Sequence, residues 1–119
     1  MLIFPLKKEW YEKIKSGEKT IEYREVKPYW TKRIATNLFR PMFGLYSPKK
    51  VFDIVSTLGF AVSFSPNPEY LCELRLGYTK KSLKAQIWKI EVVDGKNTDL
   101  HIDKPVYAIH LADVKEIEK

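Results

Sequence analysis

The densest polar cluster in the chain is Gly17-Glu18-Lys19-Thr20-Ile21-Glu22-Tyr23-Arg24, a G-x-K-x-x-E-x-R pattern. Gly17 can adopt the left-handed conformation and end a helix in a tight turn. Lys19 then stands where an ammonium can meet a phosphate or a carbonyl. Glu22 and Arg24 are two residues apart, so on a strand they share a face with Cα atoms roughly 6.5–7 Å apart. At that spacing they can pair with each other or flank a ligand together. An arginine fork holds a phosphate or carboxylate through two parallel hydrogen bonds. A glutamate beside a lysine can act as a general base, or accept hydrogen bonds from a nucleobase amino group. The plainer alternative is an exposed Glu–Arg pair worth roughly 0–1 kcal/mol, and spacing alone leaves both open.

Aromatic side chains interleaved with basic ones are the second feature. Lys27-Pro28-Tyr29-Trp30-Thr31-Lys32-Arg33 and Gly77-Tyr78-Thr79-Lys80-Lys81 have the composition that binds single-stranded nucleic acid, with rings for the bases and cations for the backbone. Trp10, Trp30 and Trp88 sit on apolar stripes and are expected in the core. Tyr29 and Tyr78 flank turns beside basic residues, where stacking and packing are equally open. The charge has the same bias. Of 21 Lys and Arg against 15 Asp and Glu, residues 1–40 hold ten basic and five acidic side chains. A second run, Arg75, Lys80, Lys81, Lys84 and Lys89, contains no acid and could form the opposite wall of a basic cleft.

The elements that must position these residues follow from periodicity. Leu6, Trp10 and Ile14 recur every fourth residue and predict a helix over Lys7–Ser16, ended by Gly17. Lys19–Glu25 alternates as a strand, Ile21 and Tyr23 on its apolar face and Thr20, Glu22 and Arg24 on the other. Pro28 opens a helix with Trp30, Ile34 and Leu38 in register. Ser47 as N-cap and Pro48 at the first position start a third, with Val51, Phe52, Ile54, Val55 and Leu58 apolar and Gly59 as its end. Phe60–Tyr70 reads as an extended connection in which Phe60, Val62 and Phe64 alternate and can supply a further strand. Cys72, Leu74, Leu76 and Tyr78 alternate as a strand, with Cys72 a small buried apolar residue. Leu83, Ala85 and Ile87 share one phase, and Trp88, Ile90 and Val92 the other, which predicts a bulge near Ile87. Asp94-Gly95 signals a turn, and Tyr107, Ile109 and Leu111 a last strand. The order α-β-α-α-β-β-β makes an α+β domain of mostly antiparallel strands, a single domain over residues 1–119.

Gly17, Lys19, Glu22 and Arg24 at the end of the first helix and in the following strand resemble the hallmark of the ASCH (activating signal cointegrator homology) domain family. Lys8, Trp10, Lys27-Pro28-Tyr29-Trp30, Leu76-Gly77-Tyr78 and Tyr107-Ala108-Ile109-His110-Leu111 are similar to the small single-domain phage and bacterial members. The resemblance covers about residues 1–35 and 70–119. The stretch 39–68, with its extra helix, is less covered and reads as an elaboration. The resemblance implies a PUA-like β-barrel flanked by helices, with a cleft at the motif that takes RNA, a nucleotide or a nucleoside. It implies Gly17, Lys19, Glu22 and Arg24 as ligand-binding residues, with Tyr29, Arg75, Tyr78, Lys80 and Lys81 as further candidates. Some members are proposed to hydrolyse the amide of acylated cytidines with a Lys, a Thr and a Glu, on a K-x-x-T pattern. In this chain Glu22 stands where that Thr would be, and the nearby Thr is Thr20. A catalytic version would use Lys19, Glu22 and Thr20. Other members are described as ribonucleases, a chemistry that no His-His or His-Lys pair specifically supports here.

The remaining features exclude more than they add. One Cys permits no disulfide framework, and the two His, His101 and His110, lack metal-ligand spacing. No P-loop, GxGxxG or GxSxG is present, so neither metal nor cofactor is expected. No apolar run nears the roughly 18 residues that span a bilayer. The opening Met1-Leu2-Ile3-Phe4-Pro5 breaks at Pro5 without a basic leader, so a cytoplasmic protein is expected, with no membrane partner. A binding module leads, a small hydrolase follows, and an interaction surface at Phe39–Tyr46 and Phe60–Phe64 is the third possibility.

Overall fold

In the computed structural model, which describes residues 1–118, six strands form one sheet and three helices pack on it. The strands are β1 (Leu2–Leu6), β2 (Ile21–Glu25), β3 (Ala61–Ser63), β4 (Leu71–Leu76), β5 (Lys81–Asp94) and β6 (Pro105–Glu118). The helices are α1 (Lys8–Lys15), α2 (Pro28–Leu38) and α3 (Pro48–Val55). Strand order is β1-β4-β5-β6-β2, with β3 on β5, so β1 and β2 are the two edges of a curled, mixed half-barrel. Only β1 and β4 run parallel; the other pairs are antiparallel. The α+β class stands; β3 is the further strand that the Phe60, Val62 and Phe64 alternation offers, and β1 is added to those expected. Among the described residues no helix is long and apolar enough to cross a membrane.

β1 takes in Leu6, expected on the stripe of the first helix, and residues 2–5, to which periodicity assigns no element. Leu2, Phe4 and Leu6 are buried, while Ile3 and Pro5 point outward, so the first residues are a core strand. Proline is tolerated there because an edge strand leaves one row of N–H positions unpaired. β3 lies within the Phe60–Phe64 alternation and pairs through Val62 with Ile90. The 14 residues of β5 make room for both neighbours. β4 lies along its first half and β3 along its second. Against β6 the register of β5 slips twice, at Lys84/Gln86 and at Ile87/Lys89, and the second slip is the expected bulge.

The helices form where caps and apolar spacing agree. Pro28 begins α2, whose Trp30, Ile34 and Leu38 are buried. Ser47 Oγ accepts from the Lys50 N–H at 3.3 Å and caps α3. That helix stops at Val55, earlier than expected, and Leu58 is exposed beyond it. In α1 the buried residues are Tyr11 and Ile14, and Trp10 is displaced to the flank. Much of the apolar stretch 39–68 packs on itself rather than standing free. Phe39 is buried, with its ring 5.3 Å from Phe60 and 5.8 Å from Phe64, and Phe43 lies 5.9 Å from Phe52.

Asp94-Gly95 does not make a tight hairpin. Asp94 Oδ1 accepts from the Lys96 N–H at 3.0 Å, and Gly95 N–H donates to Lys104 O at 2.8 Å. The loop 95–104 is thereby pinched at its base. A Cβ on Gly95 would stand 2.6 Å from Lys104 O and 2.7 Å from Ile102 O, so glycine alone permits this closure.

Candidate functional site

A cleft of about 400 Å³ opens at the seam between the two sheet edges. Pro5 and Leu6 come from β1, Glu22 to Glu25 from β2, Trp10 from α1 and Trp30 from α2. The 95–104 loop supplies Asp99, Leu100 and Ile102 as the remaining wall. Arg24 bridges the seam. Its Nη2 donates to Pro5 O at 2.8 Å, and its guanidinium lies over the rings of Trp30 (5.0 Å) and Phe4 (5.3 Å).

Beside it Glu22 is 6 % exposed, the most buried residue of β2. Here the assignment of faces is corrected: the Glu22/Arg24 face turns inward, while Ile21 and Tyr23 are half-buried on the other. Alternation fixes which residues share a face, and a strand covered on both sides carries no apolar contrast to tell inside from outside. Glu22 Oε1 accepts from the Tyr23 N–H at 2.9 Å. Its Oε2 lies 3.6 Å from Arg24 Nη2, too far for a good hydrogen bond. Glu22 Oε2 and Arg24 Nε are both buried without a hydrogen-bond partner among the described residues. A buried acceptor and a buried donor without partners are costly, and together they leave room for a ligand or a water to bond to both. Burial pushes the Glu22 carboxyl above its usual range, against the opposing pull of Arg24 and Lys19. The neighbouring Cys72 is buried on β4, where desolvation, assisted by Glu22, pushes its thiol up to about 12.

Gly17, at φ +84°, turns the chain out of α1 so that Lys19 N–H reaches Lys13 O at 3.0 Å. The Lys19 side chain, 9 % exposed, then crosses between the rings of Trp10 (5.1 Å) and Tyr23 (4.9 Å) to an ion pair with Asp99. Lys7 and Lys27 stand exposed at the rim, in no ion pair among the described residues. Burial above all, then the charges of Asp99 and Glu91, raise the Tyr23 hydroxyl.

Three motif residues, Lys19, Glu22 and Arg24, therefore share one cleft, and Gly17 shapes its approach. Thr20 is exposed and lines a shallower hollow beyond Lys19, without Glu22. Tyr29, Arg75 and Tyr78 line a separate groove, which touches the cleft at Pro5. Lys80 and Lys81 are exposed beyond it, so the second basic run does not form the opposite wall. That wall is Asp99–Ile102, which sequence spacing did not bring to the motif; the only trace is a turn signal ten residues before the next strand begins. Trp30 packs in the core as expected, whereas Trp10, expected there too, is only partly buried against it, and both line the cleft. Trp88, expected in the core, is 43 % exposed because the bulge turns it outward. It rests 5.1 Å from the His110 ring, whose Nε2 lies 2.7 Å from Glu91 Oε2. Among the described residues no group of His, Cys, Asp or Glu is placed to hold a metal ion.

No family model, no curated protein and no solved structure matches this chain. A buried carboxylate oxygen beside a guanidinium N–H matches a planar edge that carries a donor next to an acceptor. Indole and phenol faces flank that edge, and ammonium groups stand at the mouth.

Proposed function

We propose that the chain is an ASCH-type binding module on a PUA-like fold, and that its seam cleft takes a nucleotide or an RNA nucleotide. The Glu22–Arg24 pair carries this: Glu22 is buried, Arg24 is half-buried, and each has one buried polar atom without a hydrogen-bond partner among the described residues. A nucleobase edge supplies an amino or ring N–H for Glu22 and a carbonyl for Arg24. Trp10 and Tyr23 border the cleft around Lys19, Trp30 backs Arg24, and the exposed Lys7 and Lys27 at the rim suit the phosphate. The ASCH-like pattern in Gly17, Lys19, Glu22 and Arg24 supports the same assignment, and the curled sheet with helices outside it is compatible with a PUA-like barrel.

Labelled single-stranded RNA titrated with the protein at about 50 mM and about 200 mM salt tests it. Micromolar binding that weakens with salt and falls by about tenfold in Glu22→Gln is expected, since a mismatched buried hydrogen bond costs about 1–3 kcal/mol. Absence of salt-sensitive binding rejects the proposal.

A hydrolase is the second reading, favoured by one observation: a buried carboxyl with a raised affinity for protons beside an ammonium and a guanidinium. Lys19 and Glu22 would form the acid/base pair, and Arg24 the anion clamp. The exposed position of Thr20, away from Glu22, weighs against the amidohydrolase version. Turnover of acylated cytidine or of RNA that vanishes in Lys19→Ala and Glu22→Gln would establish it.

A further inference from the structure

The groove across Pro5 has a composition that a single nucleotide in the seam does not use. It encloses about 460 Å³ and contains Tyr29, Arg33, Asn37, Arg75 and Tyr78, with no acidic side chain in its lining. Tyr29 is 52 % exposed, and Tyr78 stands wholly out of the fold on the turn made by Gly77 at φ +52°. The Arg33 guanidinium lies 3.5 Å from the Tyr29 ring centroid, and its Nη1 donates to Tyr29 O at 3.4 Å. Arg75 is held by the buried Glu73 at 3.3 Å while its side chain stays 43 % exposed. Two tyrosine rings open to solvent and two arginines in one lining offer stacking faces and cations together, which suits something planar and anionic.

The two compartments are joined through consecutive residues. Tyr29 and Trp30 occupy the first turn of α2, their rings in edge contact at 4.9 Å. Trp30 walls the seam and Tyr29 walls the groove, and Pro5 belongs to both linings. Stacking on successive aromatic faces with cations between them is the way single strands are held without reading their sequence.

We propose that the ligand is a single strand of at least two nucleotides, with one base in the seam and the next on Tyr29 or Tyr78, its phosphate between Arg33 and Arg75. This rests on the reading of the seam as a nucleotide site and assigns its ligand to oligonucleotides rather than free mononucleotides. The exposed Lys80 and Lys81, which follow Tyr78, would continue the path of the backbone.

The test compares a short labelled single-stranded RNA with the four nucleoside monophosphates as competitors, on the wild type and on two double variants, Arg33→Ala/Arg75→Ala and Tyr29→Ala/Tyr78→Ala. These side chains lie at the surface, and circular dichroism of each variant checks the fold. The RNA is expected to bind about tenfold tighter than any mononucleotide, in keeping with one added stacked base. Each double variant should lose that advantage and leave mononucleotide affinity unchanged. The arginine variant should also flatten the salt dependence by about 0.7 in log–log slope for each phosphate released. A mononucleotide that binds the wild type as tightly as the RNA overturns the inference while the seam site stands. So does RNA affinity that neither variant lowers, or that both lower in step with mononucleotide affinity. If the wild type binds neither probe, the seam reading falls and takes this one with it.

Discussion

Glu22 is held in two conflicting ways, and the conflict can be measured. Burial raises its proton affinity above the ordinary 4.5, although Arg24 and Lys19 pull the other way. Below 4.5 the residue is protonated whether the chain is folded or not, and contributes no pH dependence. As pH rises from there toward the raised folded value, the unfolded chain gives up its proton first. The folded state then binds more protons, so stability falls with pH through that window and stays lowered above it. Glu22→Gln removes the titration and mimics the neutral acid. Urea denaturation of both proteins between about pH 4 and pH 8 should show the variant gaining on the wild type as pH rises and levelling off once Glu22 is ionised. Parallel curves, or a gap that closes with rising pH, would contradict the burial argument. The same variant is expected to bind ligand more weakly, so stability and binding move in opposite directions, as at a site kept for function. This pairing was partly legible from spacing alone: Glu22 and Arg24 were bound to share a face. Their burial was not, because it depends on Pro5, Phe4 and Trp30, residues that only the folded chain brings to Arg24.

Elements set by local signals are legible in the sequence, whereas those that depend on distant closure are not. α2 and α3 announce themselves by Pro28 and by Ser47-Pro48 ahead of an apolar period. The bulge in β5 shows as a change of phase around Ile87. β1 has only five residues and a proline, and its partner β4 lies about seventy residues away in parallel register, where no turn signal can advertise the pairing. The loop 95–104 carries no signal of its closure either, and it builds one wall of the cleft. Its geometry hangs on Gly95, where a Cβ would meet two backbone carbonyls at 2.6 and 2.7 Å. Gly95→Ala must shift backbone and is expected to cost about 1–3 kcal/mol. It should also withdraw Asp99 from Lys19 and lower affinity in the RNA titration. A variant that melts and binds like the wild type would show that the loop's pinch does not position the wall.

Across the whole molecule, the seam is where a half-barrel would either gape or close. The sheet's hydrogen bonds end at β1 and β2, and what crosses between them near the cleft is the Arg24 side chain, with its bond to Pro5 O and its place over Phe4 and Trp30. Removing that side chain would do two separable things. It would take a stacked cation out of the seam, and it would leave the buried Glu22 without its nearest counter-charge. Breaking a buried pair from one side costs about 3–5 kcal/mol, much of it the stranded charge. In a chain of this size about 1 kcal/mol corresponds to roughly 3–5 °C in Tm. Arg24→Ala is therefore expected to melt about 10–20 °C below the wild type near neutral pH, with faster amide exchange along β1. Adding Glu22→Gln to Arg24→Ala should restore a substantial part of that loss, because the stranded charge is gone while the missing bridge is not. Rescue in Tm without rescue of β1 exchange would separate the two roles. If the double variant melts as low as Arg24→Ala, the electrostatic account of the pair is wrong and Arg24 acts only as a strut between the sheet edges.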